Sequence, residues 1–453
     1  MFQKIIYHES EKKLIVKILF FINLIFIFFY AFRTSQYLGS FIDELVSLTS
    51  NYNFFTKLNF DASNLDPVFD GNFKANLSSG PLSAVGSVVG WGISKNLIFA
   101  RMSNIVWMYL LLISFCIYTS KKFNIEKYTF LIYSSLALVI HPWWYGTLYS
   151  LGEAISTSVL FFGFIIFQKN RNVGLLLISS SIIFGKYINV LSFSFFYLYV
   201  MIKEKNIKNI LNDSIFFLIP ITFWLSLISF KHNGGILLWI SEFYEYQFLN
   251  NQSIGFNTSN SFNIDSIVTK FNNSEVANWN MSDFLRVLLV PGLIIGILIF
   301  KDLFKDENIR NTINPIIFST IPIYLWFWLS SPTKWIRYSQ NFVLLGLLTI
   351  IFCISYRRDL SIYEFIYSSI IFSTFLSSNL LFISFYLVGI LIYIFLYKKL
   401  NSQLINLFIL FILSISLLNS FYEITKKEIR NLDVSECQFE LNSKNCFDNY
   451  MNN

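Results

Sequence analysis

Charge is what this sequence has least of: Asp, Glu, Lys and Arg supply only 13% of its 453 residues, about half the share of an ordinary soluble domain. A chain so poor in charge cannot clothe a water-exposed surface. Histidine is scarcer still, with three residues in all, and His8, His141 and His232 are too scattered for a His-pair zinc motif. No P-loop or dinucleotide fingerprint is present, which argues against an ATP-driven pump. Cysteine is sparse at four residues. Cys116 and Cys353 fall in apolar runs, where a thiol behaves as a small hydrophobe, so neither suggests a metal site. Cys437 and Cys446 share a polar tail and would close a short disulfide loop if that tail lies in an oxidising compartment. Convincing internal repeats are also missing, which disfavours the inverted-repeat transporters.

In their place the chain has 55% hydrophobic and 19% aromatic residues, in runs that repeatedly reach membrane-spanning length. It reads as an all-α polytopic membrane protein. The net charge of +7 does not point to nucleic acid, because the basic residues lie singly or in pairs between apolar runs, where the positive-inside rule expects them.

Lys4, Lys12 and Lys13 precede an apolar run from Leu14 to Tyr30, and Ala31-Phe32-Arg33 is a poor cleavage site, so the start reads as a retained signal anchor beginning in the cytoplasm. Alternation from there predicts helices at 14–32, 96–118, 128–144, 152–168, 173–185, 188–201, 213–230, 284–303, 313–330, 339–355, 361–377, 380–397 and 403–422, thirteen spans in total. Charges not used in that assignment support its parity. Every predicted inner connection is short and basic: Lys121-Lys122, Lys169 with Arg171, Lys203-Glu204-Lys205, Lys301 to Arg310, Arg357-Arg358 and Lys398-Lys399. The weakest step is the division of Gly174 to Met201 into two short helices around Gly185-Lys186, since one long helix would invert everything downstream. The domain reading is thus one transmembrane unit over 1–422, with outer segments 33–95 and 231–283, and a short outer tail over 423–453. Short juxtamembrane helices are expected in the outer segments. The second of them, rich in Asn, Ser and Phe, reads as either a mobile lid or an ordered cap.

Candidate chemistry gathers on the outer side. Asp43 and Glu44 follow the first span and precede Leu45, Val46 and Leu48, so a short amphipathic helix can hold them at the interface. A carboxylate there can accept a proton from an attacking hydroxyl; the plain alternative is a solvated helix face. Glu153 opens a span after His141-Pro142-Trp143-Trp144-Tyr145-Gly146, and a carboxylate beside hydrocarbon needs a polar cavity or a partner. Lys186 sits between two apolar half-spans, while Lys334 and Arg337 lie in Ser331-Pro332-Thr333-Lys334-Trp335-Ile336-Arg337-Tyr338. Such cations suit a lipid-linked phosphate, with snorkelling to headgroups as the plain alternative. Trp91, Trp143, Trp144, Trp239, Trp279 and Trp335 fall at outer ends or in outer loops, the place of an interfacial belt. Gly86-x-x-x-Gly90 signals close helix packing.

The order of these features carries a resemblance: an Asp43-Glu44 pair after the first span, Ser79-Gly80-Pro81-Leu82 running into Ala100-Arg101, a span opening at Glu153, the Gly185-Lys186 break and a late Arg337-Tyr338. Together they resemble the GT-C superfamily of polyprenyl-phosphate-sugar-dependent glycosyltransferases, closest in plan to the lipid A aminoarabinose transferases and protein O-mannosyltransferases, over roughly residues 14 to 355. The resemblance implies a bundle of about thirteen transmembrane helices in the plasma or inner membrane. It implies Asp43 as catalytic base, Glu44 as its support, Glu153 as a second acidic position, and Lys186, Lys334 and Arg337 as phosphate-binding cations, with Tyr338 and His141 among the substrate contacts. Ser-Gly-Pro-Leu replaces the His or Tyr before Pro-Pro that many members carry, and no large carboxy-terminal soluble domain follows, so single-sugar transfer is expected. Partners would be a polyprenyl-phosphate sugar, a lipid, glycan or protein acceptor, and membrane lipids. No cofactor is required, though a divalent metal between Asp43 and Glu153 is compatible with the pattern. The competing readings are a secondary transporter or flippase, and a polymerase or ligase of lipid-linked glycans.

Overall fold

The computed structural model describes residues 9–37, 42–57, 79–139, 144–149, 151–205, 207–231, 235–245, 305–329, 331 and 336–356, together with Val287, Glu364, Tyr422 and Thr425. Apart from those single positions, the spans expected at 284–303, 361–377, 380–397 and 403–422 lie outside the described residues, as do the cysteines of the tail, His141, Trp143, Trp279, Lys334 and Trp335.

The described residues form the α-helices α1 (Glu9–Tyr37), α2 (Ile42–Lys57), α3 (Val85–Ser94), α4 (Leu97–Phe123), α5 (Lys127–Ala137), α6 (Trp144–Leu148), α7 (Glu153–Phe167), α8 (Arg171–Ser180), α9 (Asn189–Glu204), α10 (Ile207–Lys231), α11 (Gly235–Tyr244), α12 (Glu307–Leu329) and α13 (Gln340–Tyr356). Four of them, from α1, α4, α10 and α12, are long and apolar enough to cross a membrane. The protein is an integral membrane protein with an all-α fold.

At its centre stand α7 and α13. Every residue of α7 is buried, as befits a helix apolar on all sides, and α13 is buried from Gln340 to Ser355. At 15 residues α7 is about 22 Å long, short of the ~30 Å hydrocarbon core. It can be short because protein, not lipid, surrounds every residue along it. Around this pair pack α1, α4, α5, α8, α9 and α12 in one continuous apolar core that runs from Phe20 to Ile354. The lipid-facing character of the periphery shows on α10, where Leu211, Ile215, Phe223 and Phe230 are exposed.

Local chemistry sets the helix boundaries. Asn96 caps α4 by accepting from the Ile98 and Phe99 amides, and Asn124 ends it in the left-handed conformation at φ 53°. Asn170 caps α8 through the Val173 amide. Between α3 and α4, an added Cβ at Gly86 would lie 2.7 Å from the Asn104 backbone, and one at Gly90 2.4 Å from Ser103 Oγ. The Gly-x-x-x-Gly spacing is therefore the contact that lets these helices touch.

The helix ends sort into two sets. At one end the Lys169 ammonium faces the Phe123 ring at 5.0 Å, Arg171 pairs with Glu204 and Asp213, Lys203 donates to Asn311, and the Tyr356 hydroxyl donates to Asp306 at 2.7 Å. This is the basic end. Because Arg171 opens α8 and Glu204 closes α9, their contact makes the two helices antiparallel, and the Gly174 to Met201 stretch is divided as its sequence predicts. Between them Ser181–Gly185 forms one turn of π-helix, a common device at functional sites. Arg33, near the far end of α1, donates to the Thr425 carbonyl at 3.3 Å, so the start of the tail lies at the end opposite the basic one.

Two tryptophans assigned to an interfacial belt are instead inside the protein. Trp91 packs with Leu48, Ala84, Val88, Leu97 and Ala100, and Trp239 with Phe54, Trp224 and Ile228. Both are 6% exposed. Their depth is that of a belt, but α2 covers them, leaving the indoles as the core beneath a juxtamembrane helix.

Candidate active site

The end opposite the basic one carries a chain of buried polar contacts. It begins at α2, whose first turn contains Asp43 and Glu44. Glu44 is buried and accepts from Arg101 Nε and Nη2, each at 2.8 Å, the fork geometry that makes guanidinium–carboxylate pairs strong. Arg101 is wholly buried on α4. Its Nη1 donates to the Ser35 carbonyl at 3.1 Å, and its Cζ lies 5.0 Å from the centre of the Tyr149 ring. The Asp43 side chain lies outside the described residues.

From Tyr149 the chain turns through Gly152, whose φ of 91° is a conformation that side-chain-bearing residues resist, into Glu153 at the head of α7. Glu153 is buried, and Lys186 Nζ stands 3.4 Å from its Oε1. Its Oε2 has no hydrogen-bond partner among the described residues. A buried carboxylate oxygen needs a partner, because leaving it unpaired is costly. The structure thus brings together two residues that sequence places 33 positions apart.

Lys186 is fixed by its backbone. One turn along α7 from Glu153, Ser156 Oγ accepts from the Lys186 amide at 2.9 Å and from Asn189 Nδ2 at 2.6 Å, and donates to the Ser181 carbonyl at 2.8 Å. Ser156 is thereby saturated, which sets the orientation of the Asn189 amide. On the other side Ser79 pairs with Lys186 in a single β-bridge, and the Gly80 amide donates to the Gly185 carbonyl at 2.9 Å. Neither glycine can be larger: an added Cβ would lie 2.3 Å from the Ile183 carbonyl oxygen at Gly80 and 2.4 Å from Ser156 Oγ at Gly185. Ser79-Gly80-Pro81 therefore seals the helix break.

Arg337 and Tyr338 belong to a 3₁₀ turn, Ile336–Ser339, directly before α13. The Arg337 side chain is outside the described residues, and Tyr338 is buried against Trp326 at 6.4 Å between rings. The turn is anchored to the same end as Glu153. Gln340 Nε2 donates to Thr147 Oγ1 at 3.2 Å, and Thr157 Oγ1 donates to Asn341 Oδ1 at 2.7 Å. Among the described residues no group of three or more His, Cys, Asp and Glu side chains comes together, and Glu153 already faces an ammonium.

The site residue that sequence reasoning passed over is Arg101. Its signal was present: a charge in the first turns of an otherwise apolar span requires an acidic partner, and Glu44 is the acid available at that depth.

No family model matches the sequence, and no curated protein matches it. Among solved structures, ArnT from Cupriavidus metallidurans bound to undecaprenyl phosphate superposes with a TM-score of 0.53 over 89% of this chain and 77% of that one, at 13% identity. The apo form of the same protein gives 0.52 over 88% and 75%, also at 13% identity. At such identity the likeness is one of fold, and the chain has the GT-C-like fold that the order of its motifs implies.

Proposed function

We propose that this protein is a membrane glycosyltransferase that moves a single sugar from a polyprenyl-phosphate donor to an acceptor hydroxyl on the extracytoplasmic side. The observation that carries the reading is the buried Glu153–Lys186 pair at the mouth of a helix break, with one carboxylate oxygen unpartnered among the described residues. It supplies a cation and a carboxylate acceptor at one end of an ArnT-like bundle. The basic connections at the opposite end support assigning that end to the cytoplasm.

The chemistry such a site performs is a displacement at the anomeric carbon. Asp43 takes the proton of the acceptor hydroxyl as its oxygen bonds to the anomeric carbon, and the bond from that carbon to the phosphate oxygen breaks. The donor carries its own leaving group, a polyprenyl phosphate. Lys186, Arg337 and Lys334 are the cations available to its developing charge, with the two lysines as compact point charges and Arg337 as a planar fork. Glu153 holds Lys186 Nζ in place and offers Oε2 to a hydroxyl of the substrate. None of these steps uses a divalent ion.

Purified protein in lipid, given polyprenyl-phosphate pentose or hexose and a membrane acceptor fraction, should release polyprenyl phosphate together with acceptor-linked sugar. Vectorial movement of the intact donor across proteoliposomes without release would replace this reading by a flippase. Extended glycan products would replace it by a polymerase.

A further inference from the structure

We propose that Arg101 is a positioning residue: it sets the placement of the two acidic segments of the site relative to each other, the start of α2 and the connection that leads into Glu153. The proposal deepens the glycosyltransferase reading, from which it takes the identity of the reaction centre.

A guanidinium cannot shed its charge, so one buried in an apolar span must be paired. A single carboxylate would suffice. Arg101 instead joins three separate segments: its fork holds Glu44 on α2 at 2.8 Å, Nη1 holds the Ser35 carbonyl of α1 at 3.1 Å, and its Cζ lies 5.0 Å from the centre of the Tyr149 ring. One turn further along α4, Asn104 Nδ2 donates to the Thr147 carbonyl at 3.4 Å. The same face of α4 therefore grips the α1–α2 junction and the segment 147–149. Holding Glu44 fixes the rotation of α2 about its own axis, on which residue 43 is the adjacent position, about 100° around the helix. Holding 147–149 fixes the approach to Glu153, four residues on from Tyr149. Lysine could answer the charge of Glu44, but it lacks the planar fork that reaches carboxylate, carbonyl and ring at once.

The test uses the full chain in lipid, with Arg101→Lys and the charge-free double variant Arg101→Gln with Glu44→Gln, which removes both ions and leaves no buried charge unpaired. Per folded molecule, kcat should fall by about 10²-fold in the double variant, the scale of a 1 Å misplacement, with donor KM unchanged, and Arg101→Lys should fall between the double variant and wild type. Wild-type kcat in the double variant would overturn the proposal, as would a rise in donor KM at constant kcat. A second readout does not depend on turnover. With Cys437 and Cys446 replaced by serine and Cys116 and Cys353 buried, a nitroxide on Thr56→Cys, an exposed α2 position, should give an immobilised spectrum in the wild-type background and a mobile one in the double variant. An unchanged line shape overturns the proposal whatever the activity. Loosening of α2 in a protein that transfers no sugar at all would remove the functional reading and leave Arg101 as the anchor of α2.

Discussion

Two buried acids of this bundle, Asp213 at the basic end and Glu153 at the other, are treated differently by their surroundings. At the basic end Arg171 is shared between carboxylates: its Nε donates to Asp213 at 2.6 Å, and its Nη1 donates to Glu204 at 2.7 Å. The Tyr197 hydroxyl adds a further bond to Asp213 at 2.7 Å. Both oxygens of Asp213 are used. At the opposite end Glu153 has a looser ion pair on one oxygen and, among the described residues, no partner on the other. A polar cluster that is completely satisfied rigidifies a fold, while one left short stores an unmet demand. We read the first as the clasp that ties α8, α9 and α10 together, and the second as the place where substrate completes the structure.

The sharpest way to break that comparison is at Asp43. Asp43→Asn keeps size and polarity but removes the base, so turnover should drop by about 10² to 10⁴ while expression and donor binding survive. Measured sugar transfer near the wild-type level in Asp43→Asn would remove Asp43 as the base, and inactivity of Glu44→Gln beside it would report the loss of the Arg101 fork. Full activity in both would take α2 out of the mechanism.

A paired experiment on the two carboxylates comes next. Glu153→Gln should lower kcat by about 10²-fold through loss of a well-placed group, with a smaller loss of stability than Asp213→Ala, because the amide oxygen still faces Lys186 Nζ. Asp213→Ala should do the reverse. Removing one partner of a buried pair costs about 3 to 5 kcal/mol, at the lower end here because Arg171 is 24% exposed, and activity per folded molecule should hold. Equal behaviour of the two variants in both assays would erase the distinction between clasp and site.

Glycines permit a finer version. A Cβ at Gly174 would lie 2.4 Å from Phe167 Cα, and one at Gly185 2.4 Å from Ser156 Oγ. Each alanine should cost about 1 to 3 kcal/mol by overpacking. Gly185→Ala must also displace the hydroxyl that holds the Lys186 amide, so it alone should raise donor KM. If Gly174→Ala raises it equally, α8 communicates with the break and the separation fails.

Much of this architecture was legible in the sequence because hydrocarbon is a strict solvent. Apolar length located the helices that the structure describes, lysines and arginines sorted their ends, and Gly185-Lys186 announced a break because neither residue suits the middle of a spanning helix. What the sequence could not convey is azimuth. Trp91 and Trp239 stood at the expected depth, but nothing in their neighbours' identity said that α2 would cover them. The Glu44–Arg101 pair bridges 57 positions, and the Glu153–Lys186 pair depends on a π-turn closed by Ser79 and Gly80, a segment whose role emerges only when both sides of the break are in place. Arg101 was visible as an isolated charge in an apolar run, and the rule that such a charge needs an acid would have found its partner.

The smallest expected effect belongs to the basic end and tests whether its acids are purely structural. Asp306 stands just before α12, where its Oδ1 accepts from the Asn308 amide at 2.9 Å and the Ile309 amide at 3.5 Å, and its Oδ2 accepts from the Tyr356 hydroxyl at 2.7 Å. The Tyr356 bond, and then these amides, hold the Asp306 carboxyl below the usual carboxylate range. A carboxylate with a lowered folded pKa adds stability that is complete above its unfolded value, near 3.9, and is lost as the pH falls through the folded value. Asp306→Ala should therefore lower stability by about 0.5 to 2 kcal/mol at neutral pH, the usual loss of a helix cap. The gap to wild type should close as unfolding is measured at pH values descending through and below 3.9. Sugar transfer per folded molecule should be unchanged. A gap that persists at low pH would show that Asp306 acts through packing, and a loss of transfer at neutral pH would carry the site's influence across the whole bundle.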